Sequence, residues 1–235
     1  MLNKYWRQFK SGTDIRGIAC SGVENEEINL DDETIHKIVM GFGLWISEFS
    51  KKETKYICVA IGHDSRISAN RIKNVLVDTL RSIGINVYDC SLASTPAMFM
   101  STMDLHCDAA IEITASHHPF NRNGLKFFVK DGALNSQDIE KILEYAQNES
   151  FPEKTQPGKY EKVDYIKQYA KHLREIICSG INSQNNDKPL EGLKIVVDAG
   201  NGVGGFYAYD VLKPLGADIT GSKFLDPDGM FPNHI

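Results

Sequence analysis

Apolar and polar positions change period several times along the chain. Over 30–50 the apolar residues Ile35, Ile38, Val39, Phe42 and Ile46 recur at helical spacing behind the acidic Asp31, Asp32 and Glu33. Acidic groups suit a helix start, where unpaired amides carry partial positive charge. The spacing predicts a core-facing helix with 51–55 as its solvated exit. Residues 56–61 are a short branched apolar run, a strand signal, followed by Gly62, His63, Asp64, Ser65 and Arg66; helical spacing then resumes over 68–83 and stops at Gly84. The unit repeats. Residues 86–90 read as a strand, and Pro96 as the first residue of a helix to 103, capped by Ser94 or Thr95, with its methionines filling the core. Residues 107–113 form a third strand. A short strand at 127–130 turning at Asp131 and Gly132, and a helix at 136–146 with its own cap and a stripe of Ile139, Ile142 and Leu143, complete the first part.

The charged, proline-containing stretch 148–158 is the linker signal, dividing the chain into 1–155 and 156–235. Past it come a helix at 163–177, a polar surface loop at 179–188, a strand at 193–198, a glycine turn, a helix to 215 and a strand at 217–220. Strands alternating with helices define an α/β fold.

Composition narrows the class. With 42% hydrophobic and 24% charged residues in 235, the chain is an ordinary globular protein. A formal charge of −5 without a basic run gives no nucleic-acid footprint. The cysteines at 20, 58, 90, 107 and 178 are scattered and contain no CxxC pair, which fits reduced core thiols rather than a disulfide framework or zinc site. No signal-peptide core opens the chain, and no run approaches the roughly 18 apolar residues of a membrane span. A cytoplasmic protein without a membrane partner is the expectation. No pattern specifies an oligomeric state.

The chemistry gathers where the third strand ends. Thr114, Ala115, Ser116, His117, His118 and Pro119 lead into Asn123, Gly124, Leu125 and Lys126. A hydroxyl cluster broken by proline at a strand end is a usual place for a reactive loop, and the imidazoles and Lys126 supply donors and positive charge for a phosphate ester on Ser116. In Ser11 to Gly17, read as a compact loop, Arg16 has the fork geometry of a phosphate donor, or pairs locally with Asp14. For Asp64 and Arg66 a structural ion pair is favoured over a catalytic role.

Thr-Ala-Ser-His-His-Pro followed by Asn-Gly-x-Lys resembles the active-site serine loop of the α-D-phosphohexomutase superfamily, which includes phosphomannomutases and phosphoglucomutases. His118 is a departure, since many members have Asn there. Thr-Asp-x-Arg-Gly at 13–17, Gly-x-Asp-x-Arg at 62–66 and the Thr-Pro pair at 95–96 resemble further family elements. The resemblance implies a mixed sheet sandwiched by helices in 1–155, and in 156–235 the opening of a second, partial α/β domain of similar type. It also implies a phosphorylated Ser116 that exchanges its phosphate with a hexose phosphate substrate through a hexose 1,6-bisphosphate. Arg16, Lys126 and His117 would join Ser116 in catalysis, while Thr13, His118 and Asn123 would bind phosphate. Mg2+ would bind the Ser116 phosphate and three aspartates of an Asp-Gly-Asp-x-Asp-Arg loop lying beyond this chain. Segment 226–234 resembles the stretch preceding that loop. On this basis the isolated chain is expected to be inactive, the alternative being a truncated, non-catalytic homologue that binds sugar phosphates or regulates.

Three competing patterns fall short. Gly200-x-Gly202-x-x-Gly205 satisfies a dinucleotide fingerprint by spacing, but no acidic residue ends the next strand, and a tight connection accounts for the glycines. Asp226 and Asp228 suit a turn better than a metal site. A Ser-His hydrolase fails because His117 is adjacent to Ser116 and no Gly-x-Ser-x-Gly elbow exists.

Overall fold

The computed structural model describes residues 1–153, 155–181 and 187–234. Its centre is an eight-stranded mixed sheet. In chain order the elements are helix α1 (Lys4–Arg7), strands β1 (Lys10–Ser11) and β2 (Asp14–Ile18), helix α2 (Asp32–Ser50), strand β3 (Cys58–His63), helix α3 (Ala69–Ser82) and strand β4 (Asn86–Leu92). They continue with helix α4 (Thr95–Asp104), strands β5 (Ala109–Ile113), β6 (Arg122–Val129) and β7 (Gly132–Ala133), helix α5 (Ser136–Gln147), strand β8 (Tyr160–Lys162) and helix α6 (Tyr165–Gly180).

The sheet runs β1-β2-β6-β5-β3-β4-β8, with β7 paired to β6. β4, β3, β5 and β8 are parallel, and β6, β2 and β1 extend the sheet antiparallel. Alternation along each strand sorts side chains onto two faces. Val59, Ile61, Ile111, Ile113, Leu125 and Phe127 join the buried faces of α2, α3 and α5, while Ala60, Cys90, Ala110 and Phe128 join α4 and α6. This is the expected mixed sheet between helix layers.

Side-chain caps set the starts of α2, α4 and α5. The Asp31 side chain accepts from Thr34 N to start α2, and Ser94 caps α4, with Thr95 as its first residue and Pro96 next. The cap of α5 is Asn135, which forms a capping box with Asp138.

Two expectations are corrected. The stretch Ser11 to Gly17 is not a loop: β1 and β2 form a hairpin turning at Gly12 and Thr13, and β2 pairs along β6 from Asp14↔Lys126 to Ile18↔Arg122. The expected strands at 193–198 and 217–220 appear only as isolated bridges, Lys194↔Asp218 and Asp198↔Lys223. Between them lies a short π-helix, Tyr207–Leu212. Of the expected polar loop 179–188, residues 182–186 lie outside the described residues. No helix among the described residues is long and apolar enough to cross a membrane.

Candidate active site

Parallel strands put their C-terminal ends on one edge, where α/β proteins gather their sites. There β5 delivers the serine loop and β3 delivers the loop of Asp64 and Arg66. Ser116 is exposed and holds a left-handed backbone with φ of 55°. Side chains other than Gly, Asn or Asp rarely adopt that region, and it costs energy that the surroundings must supply. The Thr114 hydroxyl accepts from Ser116 N at 3.0 Å and donates to Asp64 Oδ2 at 2.7 Å. Ser116 Oγ lies 3.2 Å from His117 Nδ1.

Arg66 holds the loop from below. Its guanidinium is buried and donates to the carbonyls of Pro119 and Arg122 through Nη1, to those of Ser116 and His118 through Nη2, and to Asp64 Oδ2 through Nε. Asp64 Oδ1 in turn accepts from Arg66 N at 3.0 Å. Burial pushes the Asp64 carboxyl up, opposed by the Thr114 hydroxyl and by Arg66. The ion pair expected between these residues is present at 3.2 Å, and it is one bond of a clamp on the serine loop.

The remaining expected residues divide. Asp14, 6% exposed, bridges Arg16 at 2.9 Å and Lys126 at 2.5 Å across paired strands, and Arg16 Nη1 donates to Ala115 O at 2.7 Å. Arg16 thus touches the serine loop directly, and Lys126 is linked to it through Asp14 and Arg16. His117 and His118 stack with ring centroids 5.2 Å apart. Burial, followed by the charge of Arg16 and its neighbours, lowers the His118 pKa and favours a neutral imidazole. Thr13 is exposed at the hairpin turn.

Asn123, expected at the phosphate, is placed otherwise. Fully buried, it donates to Ser68 Oγ at 2.9 Å and accepts from Gly124 N at 2.8 Å, so both ends of its amide are committed to the scaffold. Gly124 itself admits no side chain, since a Cβ there would lie 2.1 Å from Ile15 O.

Glu112 was not singled out by the sequence. It sits on β5 opposite Gly62 and Lys126, 1% exposed, with Oε2 unpartnered. Burial, reinforced by Asp64, raises its pKa well above the carboxylate range. A group whose folded pKa is raised keeps its proton in the native state at pH values where the unfolded chain has lost it. Its contribution to stability is full below about pH 4.5 and is lost as pH rises toward the folded value. Glu112→Gln is expected to remove this dependence, gaining on the wild type by up to about 1.4 kcal/mol per pH unit above that point. Urea unfolding across a pH series checks it; parallel pH profiles for the two proteins would overturn it.

The second part of the chain faces the loop. Ser116 and His117 share an open cleft of about 420 Å³ with Asp198, Gly200, Gly202, Phe231 and His234. His234 Nε2 lies 2.9 Å from Asp198 Oδ1, Ser65 Oγ donates to Asn201 O at 3.0 Å, and the Arg66 guanidinium lies over the Phe231 ring at 5.1 Å. Gly205 meets the chain closely, as a Cβ there would lie 2.0 Å from Leu225 O. The last fingerprint glycine thus serves a close crossing, and the helix after it is the six-residue π-helix. Asp228 Oδ1 accepts from Met230 N and Asp226 O accepts from Asn201 Nδ2, as in a turn. Among the described residues no group of three or more His, Cys, Asp or Glu side chains could hold a metal ion. The donors present do not form a magnesium cage.

A mixed sheet between two helix layers, presenting a serine in a left-handed backbone at the end of a parallel strand, defines an α/β/α domain. The chain belongs to the phosphoglucomutase/phosphomannomutase family: residues 8–153 match the model of its alpha/beta/alpha domain I. It is 33% identical over 191 residues to a phosphoglucosamine mutase of Sulfurovum sp. (strain NBC37-1), covering 78% of this chain and 40% of the relative. A phosphoglucosamine mutase of Helicobacter pylori (strain Shi470) is 35% identical over 188 residues, with 77% of this chain and 41% of the relative covered. Among solved structures, a phosphoglucomutase/phosphomannomutase family protein from Burkholderia thailandensis superimposes on 100% of this chain and 47% of its own length, with a TM-score of 0.77 and 27% identity. The chain therefore spans less than half the length of these relatives.

Proposed function

We propose that this chain carries the phosphoryl-accepting serine of a phosphohexomutase and acts together with further domains of a longer protein. Residues 1–155 would form the first domain and 156–235 the opening of the second, although β8 and α6 of that part pack on the first domain's sheet. The observation that carries the reading is Ser116 itself, exposed, held in a left-handed backbone by Thr114 and Arg66, and facing a cleft roomy enough for a sugar phosphate. In the proposed reaction a substrate hydroxyl attacks the phosphorus of phospho-Ser116; the P–O bond to Ser116 breaks as the bond to the sugar forms, giving a bisphosphate. The other phosphate then returns to Ser116 Oγ. Such a transfer depends on placement and on neutralising charge on the moving oxygens. Arg16, Lys126 and the two imidazoles surround the loop with donors for that purpose, and Lys126 and Arg16 are the candidates for proton transfer. Magnesium, when bound with ligands from the rest of the protein, would neutralise phosphate charge.

The names of the relatives make an amino-hexose phosphate the first substrate to test, beside glucose and mannose phosphates. Incubation of the complete protein with hexose 1,6-bisphosphate labelled in its phosphates is expected to leave acid-stable label on the peptide containing Ser116. Label on another residue, or none, would remove the proposal.

A further inference from the structure

Cys58 opens β3 and Cys107 stands two residues before the start of β5, 49 positions apart in sequence, at the end of the sheet opposite the serine loop. The pairing of Val59 with Ala109 brings them together, with their sulfurs 3.3 Å apart. A disulfide needs about 2.05 Å, so closure requires the sulfurs to approach by little more than an ångström. The two thiols differ in exposure. Cys107 is only 6% exposed, whereas Cys58 is partly exposed and borders an open groove of about 550 Å³ with Tyr88, Lys159, Tyr160 and Glu161. The Cys107 thiol can donate to the Cys58 sulfur, which stabilises a thiolate there, whereas that same neighbour and burial hold the Cys107 proton on. Asp108 and Glu161 oppose the thiolate, but the Asp108 carboxylate is tied at 2.6 Å to Lys52 and at 3.0 Å to Cys58 N.

We propose that Cys58 and Cys107 form a reversible redox site, with Cys58 attacking a hydroperoxide delivered through the groove and Cys107 resolving the product to a disulfide. In the first step the Cys58 thiolate attacks one peroxide oxygen, the O–O bond breaks, and the departing hydroxide takes a proton and leaves as water. Cys58 is then a sulfenic acid. The Cys107 sulfur attacks it, the S–O bond breaks, and the hydroxide leaves as a second water with the Cys107 proton. Two thiols lose two electrons and one hydrogen peroxide becomes two waters. A thiol reductant reverses the bond. The site is independent of the mutase assignment.

The test uses the native chain with hydrogen peroxide. The accessible and buried thiols together, counted after denaturation, are expected to fall from five to three. Peptide mapping should join the Cys58 and Cys107 peptides with a loss of about 2 Da, restored by dithiothreitol. In Cys107→Ser, dimedone is expected to trap the sulfenic acid at Cys58; in Cys58→Ser, peroxide-dependent thiol loss should slow by about tenfold or more. A count that stays at five, or oxidation that falls first on Cys20 or Cys178 in the wild-type protein, would overturn the proposal. So would a folded Cys107→Ser protein in which Cys58 takes no label. The wild-type map decides the matter even where a variant folds poorly.

Discussion

Ser116→Ala in the complete protein is expected to abolish turnover of hexose phosphates, by about 10³-fold or more, because no other hydroxyl in the loop occupies the place where the phosphoryl group would be exchanged. The side chain is exposed, so the loss should come with little change in unfolding free energy. Ser116→Gly separates the two effects further. Glycine adopts a φ of 55° at no steric cost, so this variant should be as inactive as alanine and yet more stable than the wild type by up to about 1 kcal/mol. Steady-state assays with the hexose phosphate panel, together with urea unfolding of the same preparations, check both halves. An alanine protein that retains turnover would sink the serine assignment, and a destabilised glycine protein would show that the backbone at 116 carries no strain to relieve.

Arg66→Ala is expected to have the largest effect on stability. The guanidinium is fully buried and serves four carbonyls and one carboxylate at once. Truncation removes five hydrogen bonds at once and leaves the Asp64 charge without its partner, a loss of about 3–5 kcal/mol. For a chain of this size that corresponds to a fall in Tm on the order of 10 °C. Arg66→Lys should recover little, since an ammonium is a compact point donor and cannot span carbonyls on both sides of a planar fork. The same variants should become sensitive to proteolysis within 114–122. A thermal midpoint within about 2 °C of the wild type for Arg66→Ala would show that the clamp is dispensable.

The sequence shows the sheet's parallel centre well and its antiparallel edge poorly. Runs such as Val59 to Ile61 and Ala109 to Ile113 are buried on both faces and bounded by caps and glycines, so period and punctuation agree. β2 hides because its five residues include Asp14, Arg16 and Gly17; Asp14 pairs with Lys126 of β6 and Arg16 donates to the Ala115 carbonyl, and nothing local announces those partners. The same holds for Arg66. Its tie to Asp64 is two residues long and visible, but its four carbonyl partners lie 50 to 56 positions away. Asn123 misleads in the opposite sense: it stands inside a recognisable motif, yet its amide is spent on Ser68 and Gly124. Beyond 190, apolar runs were legible but their pairing was not, because a ladder requires consecutive partners and residues 194 and 198 each meet a single one.

The site draws on four strands that are neighbours in the sheet, in the order β2, β6, β5 and β3. β5 and β3 lie in its interior, whereas β2 is flanked on its outer side by the two-residue β1, with the Phe9 carbonyl accepting from Arg16 N and with Asn29 and Leu30 bonding its far end at Ile18. Local opening is cheapest where few bonds must break together, so fraying begins at the hairpin and reaches Asp14 and Arg16 well before Thr114 or Arg66. The amides of the serine loop's anchor should then outlast those of its charged flank in hydrogen exchange. One half of the site is built into the last part of the domain to open, and the other rides on one of the first.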